Sequence, residues 1–296
     1  MKDFTNQPLN FGHFSSKGNQ LKWRDGDGWY KADYLGYEAL SEYVVSELLK
    51  KSNAHAVAYE LVPIKYEKKA FVGCRSKNFL PPNQELITLQ KLYQIYQNAS
   101  LSEVMAGMDV EDRIRHVVDF VTETTGLKGF GQYITSLLEI DALFLNEDRH
   151  MNNIAVLFDR QKRTYGYCPI FDNGASLFSD TTMSFPLHQD VYQCLQDIEA
   201  KPFSRNFEEQ VEAAESMYGV QLKFWFTARD VEEVVAQASV FYDRDVLDRV
   251  EQTMREQIRR YSYLQRKAPL ENVIKNASAS RENNGMNSVF GEKERE

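Results

Sequence analysis

A chain of 296 residues, 43% of them hydrophobic, is long enough for a sizeable core in one two-lobed domain or in two small ones. Its formal charge of −8 provides no overall basic field to hold a nucleic-acid backbone, so a polyanion has to be met locally, which leaves room for a small phosphorylated ligand. Cys74, Cys168 and Cys194 stand far apart without CxxC spacing, against a disulfide framework or a zinc site and for a reducing, cytoplasmic setting. No apolar run reaches the ~18 residues of a membrane span, and the opening MKDFTNQPLN lacks the apolar stretch of a secretory signal.

The first 80 residues mix short aromatic or β-branched runs with glycine turns. In LKWRDGDGWYKA, Asp25-Gly26-Asp27-Gly28 separates two strand-like pieces and predicts a β-hairpin. After Gly36, YEALSEYVVSELLKK repeats Leu40, Val44 and Leu48 at helical spacing with charge on the other side, so a helix follows. AVAYELVPIKY and KAFVGCRSKNF predict two more strands before Pro81-Pro82-Asn83 interrupts regular structure. Beyond it the chain reads as helical over 84–97, 111–125, 130–145, 189–199, 207–218, 229–238 and 243–266. A β island, IAVLFD, a polar turn, then YGYCPIFDNG, predicts a second hairpin within that half. From Ala268 the composition turns polar, which predicts a disordered tail over 268–296. The resulting order is a β-rich lobe over 1–80 and a helical lobe over 81–267.

The chemistry gathers at the edges of the island. LFLNEDRHMNNIAVLFD sets the polar cluster Asp148 to Asn153 between an apolar helix and an apolar strand. Phosphoryl transfer needs a carboxylate near the acceptor hydroxyl and oxygen ligands for Mg²⁺, and a kinase catalytic loop draws both from an Asp and an Asn five residues later. In PIFDNGAS, Asp172 follows Ile170 and Phe171 at a strand end, where an exposed carboxylate can reach a metal. Mg²⁺ takes one or two protein ligands with phosphates and water, so Asn153 and Asp172 suffice. Singly, DRHMNN reads as a solvated cap and FDNG as an Asx turn. In this order, together, they point to a kinase.

DRHMNN followed by FDNG resembles the HipA-like kinase family, and its short members in particular, over roughly Phe11 to Phe207. That resemblance implies an α+β, two-lobed protein-kinase-like fold with ATP and Mg²⁺ as cofactors. The acceptor would be a Ser or Thr of a protein, with an antitoxin-like protein as a further partner. Asp148 then matches the base and Asn153 and Asp172 the metal positions. Asp-Asn-Gly in place of Asp-Phe-Gly removes an aromatic switch.

FSSKGNQLKW resembles the family's phosphate loop, whose backbone N–H groups cradle phosphate, here Ser15, Ser16, Lys17, Gly18 and Asn19. In HipA this loop carries an autophosphorylated serine, which makes Ser15 and Ser16 candidates. Lys31 falls where kinases place the phosphate-pairing lysine, with Lys22 as the competitor, and Glu42 rather than Glu38 matches its helix partner. Adenine would meet the connecting strand Val72 to Phe79, including Cys74 and Ser76. His150 has no second histidine at ligand spacing and reads as a structural hydrogen-bonding residue of the nucleotide site. Arg149 orients phosphate or the activation segment.

Two other readings stay open. A small-molecule phosphotransferase uses a similar Asp, Asn and Asp arrangement, and a toxin or regulator can work by partner binding around a degenerate nucleotide site. The presence of all four residue types speaks against degeneracy.

Overall fold

A computed structural model describes residues 1–7 and 20–269 of the chain. The expected hairpin pairs β2 (Lys22–Asp25) with β3 (Gly28–Ala32), Trp23 opposite Tyr30 and Asp25 opposite Gly28. Gly26 takes φ +58°, a left-handed value that a tight turn needs and that glycine meets without a Cβ clash. With β1 (Lys2–Asp3), β4 (Tyr59–Tyr66) and β5 (Lys69–Lys77) these strands form a five-stranded sheet in the order β1-β4-β5-β3-β2.

The two faces of this sheet differ. On one, Phe4, Trp23, Tyr30, Ala32 and Ile64 form a small apolar core, with Phe4 stacked on Trp23 at 4.8 Å. On the other, the cross-strand register aligns Lys22, Lys31, Cys74 and Leu61 in one row.

That second face is covered by α1 (Glu38–Leu49). The expected stripe of Leu40, Val44 and Leu48 is there, but the far side is not open to solvent: ten of its twelve residues are buried. The sheet packs on one side of α1 and the helical lobe on the other, so its apolar residues join one core with Phe144, Leu177 and Phe226. Its N-terminus is fastened twice. The Asp33 carboxyl group accepts from the Ala39 N–H at 2.6 Å, and Glu38 takes the N–H groups of Tyr34, Leu35 and Gly36. Tyr37 and Ser41 donate through their hydroxyls to the carbonyls of Leu177 and Ser176 at 2.6 and 2.9 Å, tying α1 to the segment after Asp172.

The helical half contains α2 (Leu89–Gln97), α3 (Leu101–Met105), α4 (Val110–Thr125), α5 (Phe130–Phe144), α6 (Val191–Asp197), α7 (Phe207–Tyr218), α8 (Ala228–Gln237) and α9 (Arg244–Arg260). One expected helix, 84–97, is two elements. Gln84–Thr88 is strand β6, paired residue for residue with β7 (Ala155–Asp159), which pairs in turn with β8 (Thr164–Tyr167). Thr88 ends the strand and caps α2 by accepting the Lys91 N–H. The tail expected over 268–296 lies, from residue 270 on, outside the described residues. Among the described residues no helix is long and apolar enough to cross a membrane.

Candidate active site

Helix α5 ends at Leu145, whose left-handed φ of +58° turns the chain sharply into the loop Asn146 to Asn153 before β7 begins. The loop holds itself in place. Asn146 accepts the Asp148 N–H through Oδ1 at 3.2 Å, and Asn153 Nδ2 donates to the Asp148 carbonyl at 3.2 Å. This leaves Asn153 Oδ1 buried without a hydrogen-bond partner.

Arg149 is fully buried. It forms an ion pair with Asp141 of α5 and donates to the Asn153 carbonyl, the Phe171 carbonyl and Asn173 Oδ1, at 3.1, 2.6 and 2.7 Å. Of the two roles read for it, orienting phosphate does not fit a guanidinium with no open face, whereas its bonds to Phe171 and Asn173 do reach the segment around Asp172. It fastens the two loops that carry Asn153 and Asp172 to one another.

Asp172 lies five residues beyond the end of β8, with a left-handed φ of +61° that a non-glycine residue rarely adopts. It is not the exposed strand-end carboxylate the sequence suggested, since its side chain is 18% exposed and bonded to Lys31 Nζ at 2.5 Å. Lys31 also reaches Glu42 Oε1 at 2.5 Å, and Glu42 accepts the Asn173 N–H through Oε2 at 2.9 Å. Burial works against the charge on Lys31, yet Asp172 and Glu42 together hold its pKa well above the ordinary value. Burial likewise opposes ionisation of Asp172, but Lys31 and then Lys22 keep its carboxyl below the usual range.

Of the two lysines weighed, Lys31 makes the ion pairs. Lys22 stands beside it in the same row and lines the same cleft, where burial lowers its pKa. Of the two glutamates, Glu42 reaches the lysine and Glu38 caps the loop before α1. Asp148, Asn153 and Asp172 line one cleft together with Gln20, Lys22 and Asp180.

Several expected residues fall elsewhere. Ser15, Ser16, Lys17, Gly18 and Asn19 lie outside the described residues. Cys74 and Ser76 are not in a connector: β5 is a central strand through Lys77, and its residues pair with β3 on one side and β4 on the other, which occupies their backbone groups. Cys74 is 1% exposed and its thiol pKa is pushed well up by burial. The link between the lobes runs over residues 78–83, between β5 and β6. His150 accepts the Asn152 N–H through Nδ1 at 3.2 Å, while its Nε2 is buried without a partner. Burial lowers its pKa.

One contact had no sequence signal. Lys201, from the loop between α6 and α7, places Nζ 2.8 Å from Asp148 Oδ1.

An oxygen-only set of Asn153 Oδ1 and the Asp172 carboxylate suits Mg²⁺, and an orphaned buried amide oxygen is the kind of atom a cation satisfies. Among the described residues no group of three or more His, Cys, Asp or Glu could hold a metal ion.

The two-lobed α+β architecture, with a lysine–glutamate pair in the sheet lobe and an Asp/Asn loop in the helical lobe, defines a kinase-like fold. No protein-family model and no curated protein matches the chain. Among solved structures, the Helicobacter pylori proinflammatory kinase CtkA superposes with a TM-score of 0.59 at 18% identity, covering 87% of this chain and 94% of that one. HipA of Shewanella oneidensis MR-1, solved with HipB and operator DNA, gives a TM-score of 0.52 at 12% identity over 86% of this chain and 66% of that one. The chain shares the fold of these two proteins.

Proposed function

We propose that this chain is an ATP- and Mg²⁺-dependent phosphotransferase of the HipA-like kind, acting on Ser or Thr hydroxyls of a protein. The observation that carries the reading is the buried, partnerless Oδ1 of Asn153, a residue that lines the same cleft as Asp172, which is itself held by the Lys31–Glu42 pair. Asn153 and Asp172 would hold the metal, which when bound neutralises phosphate charge. Lys31 pairs with the phosphates and Glu42 keeps it in place. Asp148 orients and deprotonates the acceptor hydroxyl.

The protein acceptor and autophosphorylation at Ser15 or Ser16 rest on the family resemblance. So does an antitoxin-like partner, which the likeness to a HipA solved with HipB favours. The cheap test is thermal: Mg·ATP at roughly 100 times Kd should stabilise the fold by about 2.7 kcal/mol. ATP with EDTA should do markedly less. Equal melting temperatures with and without Mg·ATP would sink the reading. Transfer of labelled γ-phosphate to a Ser/Thr peptide library, set against an aminoglycoside panel, then decides the acceptor.

A further inference from the structure

In a loop that positions a hydroxyl for phosphoryl transfer, the base carboxylate has to be held in one orientation. Among the described residues of the loop Asn146 to Asn153, neither cationic side chain is hydrogen-bonded to the Asp148 carboxylate. Arg149 is fully buried and committed to Asp141, Asn153, Phe171 and Asn173. His150 Nε2 stands 3.8 Å from Asp148 Oδ2, beyond a hydrogen bond. Across the cleft, Lys31 is bonded to Glu42 and Asp172.

We propose that Lys201, brought in from the α6–α7 loop, is the positioning residue of the Asp148 carboxylate. Its Nζ lies 2.8 Å from Asp148 Oδ1, across 53 residues of sequence. The loop that carries it is built rather than loose. Gln210 of α7, fully buried, donates through Nε2 to the Lys201 carbonyl at 3.2 Å and accepts the Phe203 N–H through Oε1 at 3.3 Å. Arg113 of α4 donates to the Phe203 carbonyl at 2.8 Å. A buried amide whose two ends both grip one loop fixes the backbone from which Lys201 reaches. An ordinary surface lysine, which gains little from an ion pair, has no such anchoring.

Holding Oδ1 sets the direction of Oδ2. When the acceptor oxygen bonds to the γ-phosphorus and the bond to the ADP oxygen breaks, the hydroxyl proton passes to Asp148, and Lys201 keeps the carboxylate turned toward that proton.

This inference rests on the phosphotransferase reading, so wild type is assayed first, with Mg·ATP and a mixed Ser/Thr peptide library. Lys201→Met should lower kcat ~10- to 100-fold while leaving KM for Mg·ATP within about twofold, because misplaced chemistry costs rate and not nucleotide binding. The melting temperature should stay put, since the side chain is 46% exposed. Lys201→Arg should recover most of the loss. If wild type is active and Lys201→Met keeps its kcat, or Lys201→Arg does no better than Lys201→Met, the assignment of Lys201 is wrong and the phosphotransferase reading stands. If wild type transfers no phosphate to any acceptor, both fall.

Discussion

The two halves of the cleft are built differently. Where metal and nucleotide would sit, charge is buried: Lys31 lies between Glu42 and Asp172, and Arg149 with Asp141 lies beneath them, both fully buried. Where the acceptor would sit, Asp148 meets a lysine that is 46% exposed. Buried charges are tolerated only while every partner is present, whereas a half-exposed pair contributes little to folding. The first half therefore ties chemistry to stability. The second leaves chemistry free to vary.

The harshest way to break this contrast is Arg149→Met, which strands the Asp141 carboxylate in the core. It should cost ~3–5 kcal/mol in urea unfolding, the range for one lost partner of a buried pair. A loss as small as that of Lys201→Met would show that the halves are not different after all. Next come Asp172→Asn and Asp148→Asn, each expected to lower phosphoryl transfer ~10²-fold or more. Isothermal titration separates them: Asp172→Asn should weaken Mg·ATP binding and Asp148→Asn should leave it nearly intact. Equal losses of affinity would contradict the division of roles.

The smallest effect is on pH dependence. Burial pushes the Asp33 carboxyl up to about 8, so the folded chain keeps a proton there that the unfolded chain releases near 4. More protons in the native state means that stability falls as pH rises. The contribution is complete below about pH 4 and lost as pH climbs through 8. Glu139, also pushed up to about 8 by burial, acts with the same sign. Asp33→Asn should thus flatten, not abolish, the decline in melting temperature between pH 5 and 8. An unchanged slope would remove Asp33 from the account.

The residues that converge on the cleft were readable because they stand where one element type gives way to another: Asp148 and Asn153 between helix and strand, Lys31 just past an Asp-Gly turn, Glu42 in the helix that follows. What escaped depends on distance or on mixed signals. Lys201 lies 53 residues from its partner in a loop without a motif. Leu86 continues the spacing of Leu89 and Leu92 backwards, so the helical period of α2 runs on through strand β6 with no turn residue between. Nothing in KAFVGCRSKNF marks the end of β5 at Lys77, since the first breaker is Pro81, so the connector was placed too early. The burial of Arg149 did leave a trace: Asp141, a carboxylate inside the apolar LLEIDALF, calls for a cation in the core.

The burial of α1 on both sides bears on how such a molecule could be regulated. Swinging the helix outward, so that Glu42 leaves Lys31, would expose Leu40, Val44 and Leu48, each of them 1% exposed or less. At roughly 1.5–3 kcal/mol per side chain the displaced state lies ~5–9 kcal/mol uphill, a population of the order of one molecule in several thousand or fewer. The hydroxyls of Tyr37 and Ser41 would lose their carbonyls as well. Outward motion of this helix is therefore a costly way to part Glu42 from Lys31.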